Sequence, residues 1–325
     1  MKMNENVKKC IRISGIVVAA AAGASLSAYL TTKILVKTAV DRDGPRVMQR
    51  AGNLLARTQK DNQFLAELDA AAKRLEEKKS ETVTVTSLDG IPLVGHFIPS
   101  ENPKRVIIAM HGWRSSWTKD FGTMSDFWEA NDCSVLYAEQ RGQNNSGGDY
   151  MGFGLTERYD VLNWINWVTE RCGSKLPIYL AGVSMGATTV LMAAGLNLPS
   201  NVHGIAGDCG FTSPQAIWKH VANKNLHLVY GLRSIMADTM FKERLQMATN
   251  DYSTVEALKN SKTPILLVHG TEDHFVPVEM TYENYVACAA PKKLFIVPGA
   301  DHGMSYYTDK QGYEKTIEEF WNEFD

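Results

Sequence analysis

The spacing of hydrophobic and polar positions divides the chain into stretches of different character. Ile13 to Thr32 contains no charged residue and has the length of a bilayer-spanning helix, about 20 residues. From about 45 to 79, Val47, Ala51, Leu54, Leu55, Phe64, Leu65, Leu68, Ala72 and Leu75 recur mostly at three- and four-residue steps. That period predicts an amphipathic helix, with Pro45 suited to its start. The period then changes. Thr82-Val83-Thr84-Val85-Thr86 is rich in β-branched residues, Leu88-Asp89-Gly90 is a turn, and Leu93 to Ile98 is a second extended run, together an antiparallel hairpin.

Beyond the hairpin, continuous apolar runs alternate with helical stretches. The runs are Val106 to Met110, Ser134 to Ala138, Ile178 to Gly182, Gly204 to Asp208, Ile265 to His269 and Leu294 to Val297. Strands buried on both faces read this way. Helical patterns such as Tyr159 to Glu170 and Met185 to Leu196 lie between them, which predicts a mostly parallel sheet with helices on both faces. The alternation breaks once, from Phe211 to Lys262, an interval far longer than an ordinary loop. Trp218, Leu226, Leu228, Val229, Tyr230, Ile235, Met236, Met240 and Phe241 lie within it, and it is expected to form a helical lid.

Composition changes the picture at the N-terminus only. The 325 residues are 44% hydrophobic and 22% charged with a net charge of −2, ordinary for a globular protein and unlike a nucleic-acid binder. Residues 1–80, however, carry 15 Lys+Arg against 8 Asp+Glu. A basic arm on an acidic body fits an anionic lipid surface or a solvated basic helix. The uncharged run is read as a signal anchor, with an extracytoplasmic catalytic body. A cleaved signal peptide, ending near Ala22-Gly23-Ala24, is an alternative. A helix buried in the body ranks last, because the soluble part looks complete without it. Gly15, Ala19, Gly23 and Ser27 share one face of this run and admit close approach of two membrane helices. Five cysteines, without CxxC or Cys/His spacing, point to buried thiols and to no metal site.

The chemistry is concentrated at loops that follow the apolar runs. Gly182-Val183-Ser184-Met185-Gly186 fits G-x-S-x-G between a strand and a helix. In that context a serine sits on a sharp, strained turn with Oγ exposed above the sheet. His111-Gly112-Trp113 follows one run, Gly270-Thr271-Glu272-Asp273-His274-Phe275-Val276-Pro277 another, and Ala300-Asp301-His302-Gly303 the last. A serine, a histidine and a carboxylate at the same end of one sheet are the parts of a nucleophile, its general base and the group that orients the base. Glu272 competes with Asp273 for the last role, and Asp301 does so less well because it adjoins the histidine.

Taken together, these motifs resemble the α/β-hydrolase superfamily over roughly residues 82 to 325. Glu139 to Gly148, Gly152-Phe153-Gly154 and Glu157 to Asp160 are similar to a bacterial subgroup of membrane-anchored hydrolases grouped with serine aminopeptidase-like and dienelactone hydrolase-like enzymes. The resemblance implies Ser184 as nucleophile, His302 as general base and Asp273 as its orienting acid, in the chain order Ser, Asp, His. It also implies an oxyanion hole from the backbone amides of Trp113 and Met185. His111, Trp218 and His274 are candidate substrate contacts. Trp-Arg-Ser-Ser after His111-Gly112 departs from the glycine run of many lipases and argues against a long-chain lipase.

The expected organisation is a basic tail (1–12), a membrane-spanning helix (13–32), an amphipathic helical linker (33–80) and a catalytic domain (81–325) with its lid at about 211–262. The expected activity is hydrolysis of a small-molecule carboxylic ester, with an amide or peptide substrate open, through an acyl-enzyme. No metal, organic cofactor or nucleic acid is implied. Acyl transfer and a membrane-tethered, non-catalytic binding or scaffolding role are the alternatives.

Overall fold

Each apolar run becomes a strand because it can be covered on both sides. A computed structural model describes residue 23, residues 25–44 and residues 62–325. The strands are β1 (Glu81–Thr86), β2 (Pro92–Ile98), β3 (Arg105–Met110), β4 (Cys133–Ala138), β5 (Ile178–Val183), β6 (Val202–Asp208), β7 (Ile265–Gly270) and β8 (Lys292–Val297). They form one sheet in the order β1-β2-β4-β3-β5-β6-β7-β8. The hairpin β1–β2 and the pair β2–β4 are antiparallel, and every pair from β4 to β8 is parallel. All residues of β3, β4 and β7 are buried. β1 instead alternates towards water, as an antiparallel edge with a wet face does.

Two apolar layers cover the sheet. On one face Trp164, Ile165, Val190 and Leu258 pack on β2, β3 and β5. On the other, Phe121, Trp128, Phe320 and Trp321 pack on β3, β4 and β5. The helix Asn62–Glu77 joins the second layer through Leu75, which is fully buried. A third cluster lies off the strand ends, where Val36 and Val40 meet Phe153, Phe211, Met240 and Phe241.

That third cluster corrects one expectation. Residues 25–40 form a single helix, so it runs through the expected boundary at Thr32. Thr32, Val36 and Val40 are buried against the body, with exposures of 3%, 2% and 0%. The body is therefore not complete without its N-terminal segment. The rest of the expected span, the basic tail and residues 45–61 of the linker, Pro45 among them, lie outside the described residues. Among the described residues, no helix is long and apolar enough to cross a membrane.

The carbonyl end of helix 25–40 is held by side chains of the body. Arg114 donates from Nε and Nη2 to the Thr38 carbonyl at 3.0 and 2.8 Å, and from Nη1 to that of Arg42 at 3.2 Å. Trp113 Nε1 donates to the Ala39 carbonyl at 2.8 Å. Asp41 pairs with Arg244 at 2.5 Å, and the Arg42 side chain donates to the carbonyls of Asn144, Ser146 and Gly148. The last carbonyls of a helix lack intrahelical donors and carry partial negative charge, so cationic donors are favoured there.

The lid is also shorter than expected. Its helices are Pro214–His220 and Gly231–Leu245, joined through a π-helical turn at Val221–Asn225. Thr254–Asn260 belongs to the body instead. Its Ala257 and Leu258 are fully buried, and the helix packs on Met185–Ala193 and Glu279–Ala287. Replacing Arg114 by alanine should leave the carbonyls of Thr38 and Arg42 without its guanidinium donors. We expect a loss of about 1–3 kcal/mol in chemical denaturation of the full chain, together with earlier proteolysis around residue 44.

Candidate active site

Three loops at the carboxyl ends of β5, β7 and β8 converge. Ser184 follows β5 and has φ 55° and ψ −117°, a conformation that L residues avoid and that costs about 1–3 kcal/mol. The flanking glycines make the turn possible. A Cβ on Gly182 would strike the Gly186 carbonyl, and one on Gly186 would strike the Met110 carbonyl of β3. The serine is 7% exposed, at the foot of a cleft.

Ser184 Oγ lies 2.9 Å from His302 Nε2, and His302 Nδ1 lies 2.7 Å from Asp273 Oδ2. Glu272 is exposed. Asp301 Oδ1 accepts the His302 backbone N–H at 2.8 Å, so it shapes the loop rather than meeting the ring. Asp273 Oδ1 accepts the amides of Phe275 and Val276 at 2.9 and 2.8 Å. Burial opposes the Asp273 charge, but His302, His269 and the Val276 amide outweigh it and hold the carboxyl well below the usual carboxylate range. Burial also opposes a charged His302, yet Asp273 first, then Asp208 and Asp301, raise its pKa above the ordinary 6.5.

The expected oxyanion loop abuts Ser184. A Cβ on Gly112 would lie 3.4 Å from that of Ser184. The Gly112 amide is taken by Asp120 Oδ2 at 2.6 Å, which leaves the next amide, that of Trp113. Met185 opens the helix after the serine, so its N–H is one of the donors a helix start leaves unmatched. Among the described residues, neither amide meets a protein acceptor.

Of the candidate substrate contacts, the structure brings Trp218 alone into a cavity that reaches Ser184. His111 is fully buried behind the loop. Its Nδ1 faces the Gly112 carbonyl at 2.8 Å and its Nε2 faces the Gln140 amide at 3.1 Å, which fixes the proton on Nδ1, and burial lowers its pKa. It braces the loop from within. His274 is exposed and lines neither cavity at Ser184, whereas its neighbour Phe275 lines one of them. The Glu139–Asp160 motif is likewise structural. Glu139 pairs with His96 at 2.9 Å, and Arg141 joins Asp89 to Asp160 at 2.7 and 2.5 Å.

Two residues beside Asp273 and His302 escaped the sequence reading. His269 Nε2 faces Asp273 Oδ2 at 3.1 Å and the Val276 carbonyl at 2.9 Å. Both are acceptors, so that nitrogen carries the proton. Asp208, at the end of β6, accepts from Ser305 Oγ at 2.8 Å, and burial raises its pKa. Their strand-end positions are the only signal the sequence offered. Cys209 completes a group with Asp273 and His302 whose ligand atoms lie within 4.8 Å of one another. Burial pushes its thiol well above the usual range, and the other two already bond to each other, so the donor set suits a metal poorly.

Residues 119–324 match the prolyl oligopeptidase family. The chain belongs to that family. This prolyl oligopeptidase family member is a serine hydrolase of the α/β-hydrolase fold, which removes the non-catalytic scaffold reading. The uncharacterized protein YqkD of Bacillus subtilis is 26% identical over 250 residues, 75% of this chain and 80% of that one. The uncharacterized protein YfhR of Escherichia coli strain K12 is 26% identical over 247 residues, 72% of this chain and 76% of that one. Among solved structures, an esterase of Pyrococcus furiosus superposes with a TM-score of 0.62 at 20% identity, covering 76% of this chain and 91% of its own. An acylaminoacyl peptidase of Pyrococcus horikoshii does so with a TM-score of 0.55 at 19% identity, covering 76% of this chain and 42% of its own. At these identities the likeness concerns the fold. The family match begins at residue 119, beyond helix 25–40 and the His111–Ser115 loop.

Two outcomes are expected of the site. His302 should titrate above pH 6.5 by NMR in the intact protein, and Asp273→Asn should lower that value, since the charge that stabilises the imidazolium is gone. Gly186→Ala should destabilise the fold by at least about 3 kcal/mol, the upper part of the overpacking range, read as a lowered denaturation midpoint.

Proposed function

We propose that the protein hydrolyses a carboxylic ester through an acyl-enzyme, with Ser184, His302 and Asp273 as catalytic residues. The observation that carries this reading is the unbroken hydrogen-bond chain from Ser184 Oγ through both nitrogens of His302 to Asp273. Ser184 Oγ attacks the ester carbonyl carbon as its proton passes to His302 Nε2. The oxyanion that forms accepts from the amides of Trp113 and Met185, which are oriented before the reaction begins. Collapse expels the alcohol, which takes the proton from His302. A water then gives its proton to His302 and attacks the acyl carbon, and Ser184 recovers its proton as the acid leaves. Asp273 keeps the Nδ1 proton in place and stabilises the imidazolium.

An ester is favoured over a peptide by the lining next to Ser184. Trp113, Phe153, Phe211, Trp218 and Phe275 form it, a surface suited to an apolar acyl group and poor in groups for a peptide backbone. Matched ester and anilide substrates test this preference, and added alcohols test acyl transfer. Ser184→Ala should lower kcat/KM by several orders of magnitude and abolish labelling by a fluorophosphonate. Equal turnover of the two variants would remove the mechanism. Because His302 must be neutral to accept the proton, kcat/KM should fall as pH drops through its raised pKa, so the acid limb should lie above pH 6.5.

A membrane location is proposed on a separate observation. Leu26, Tyr29, Leu30 and Ile34 form an exposed stripe on helix 25–40, continuous with the uncharged run that begins at Ile13. Recovery of the full chain in a carbonate-washed membrane pellet supports an anchor, and its release opposes one. Protease access in sealed vesicles tests the extracytoplasmic face.

A further inference from the structure

Two cavities meet at Ser184, and they differ in chemistry. One mixes polar groups such as Lys119, Asp120 and His302 with apolar ones such as Leu68, Met124 and Tyr306. The other, of about 200 Å³, is almost wholly apolar. Most of its lining comes from the body and the lid. The rest comes from helix 25–40, through Thr32, Leu35, Val36, Thr38 and Ala39, which lie outside the family match.

The reaction sets which half of the substrate enters which cavity. His302 must hand its proton to the leaving oxygen, so the alcohol departs on the flank that His302 lines. That is the mixed cavity. The acyl group therefore lies on the other side, in the apolar one. An apolar cavity of about 150 Å³ already accommodates benzene, so a cavity of about 200 Å³ holds an aryl ring or a short to medium alkyl chain.

We propose that helix 25–40 is a specificity element of the active site, forming the wall that limits the acyl group, and that the substrate class is esters of an apolar acyl group of this size. The proposal rests on the hydrolase reading above. The helix is also coupled to the reacting centre, because Trp113 holds the Ala39 carbonyl with its indole N–H and presents its backbone amide beside Ser184.

The test uses the full chain and nitrophenyl esters from acetyl to decanoyl. Leu35 lines the cavity and is only partly buried, so its size is read by the substrate directly. Leu35→Trp should move the optimum to shorter acyl groups and lower the ratio of decanoyl to acetyl kcat/KM at least about tenfold, the effect of one or more methylenes in a pocket. Leu35→Ala should move the optimum the other way. If Leu35→Trp fails to fold, the direction given by Leu35→Ala decides. A chain-length profile unchanged within about twofold in the folded variants, with Ser184 still labelled by a fluorophosphonate, overturns the wall while leaving the hydrolase intact. Loss of labelling in the unaltered protein, or activity that survives Ser184→Ala, overturns the hydrolase reading instead.

Discussion

The structure turns on a steric constraint at the centre of the sheet. Ser184 can project above the strand ends only if the backbone before and after it passes within contact of itself and of β3. Neither Gly182 nor Gly186 leaves room for a methyl group. The strain at Ser184 is held because β5 lies between β3 and β6 in the parallel part of the sheet. On the next strand along, the Ser184 amide is tied to the Asp208 carbonyl at 2.8 Å. Relaxing the turn would mean disrupting strands that are buried on both faces. The same crowding brings Gly112 against the serine, so Ser184 and the adjacent loop are positioned by one packing event.

A second layer of order is polar. Asp273 is a buried carboxylate that would be costly alone, and it persists because two backbone amides and two imidazoles surround it. Asp208 lies on the far side of the same loop, bonded to Ser305. The histidine loop is thus held between two strand-end carboxyls, one ionised and in contact with the ring, the other buried and pushed towards its neutral form.

Much of this was legible in the chain because the physical signal is local. Strands buried on both faces must be apolar throughout, and all six runs became strands. The elbow needs two glycines around a serine, and Asp273 and His302 follow strands whose ends share one edge of the sheet. What was hidden depends on partners distant in sequence. An uncharged helix satisfies a bilayer and a protein surface alike, so nothing in residues 25–40 revealed that Val36 and Val40 meet Phe241. The lid's end was invisible for the same reason. Thr254–Asn260 has an ordinary amphipathic pattern, and its neighbours alone decide whether it covers the site or the sheet. His111 and His274 sat near the motifs in sequence, but one points inward and the other to solvent.

Helix 25–40 has a mechanical consequence. At about 1.5 Å per residue, its sixteen residues make a rod roughly 24 Å long, clamped at one end by Arg114, Trp113 and Arg244. A clamped rod transmits angle as well as distance. A push on its first turn would therefore reach the catalytic mouth as a torque, as a handle passes the turn of a hand to a tool.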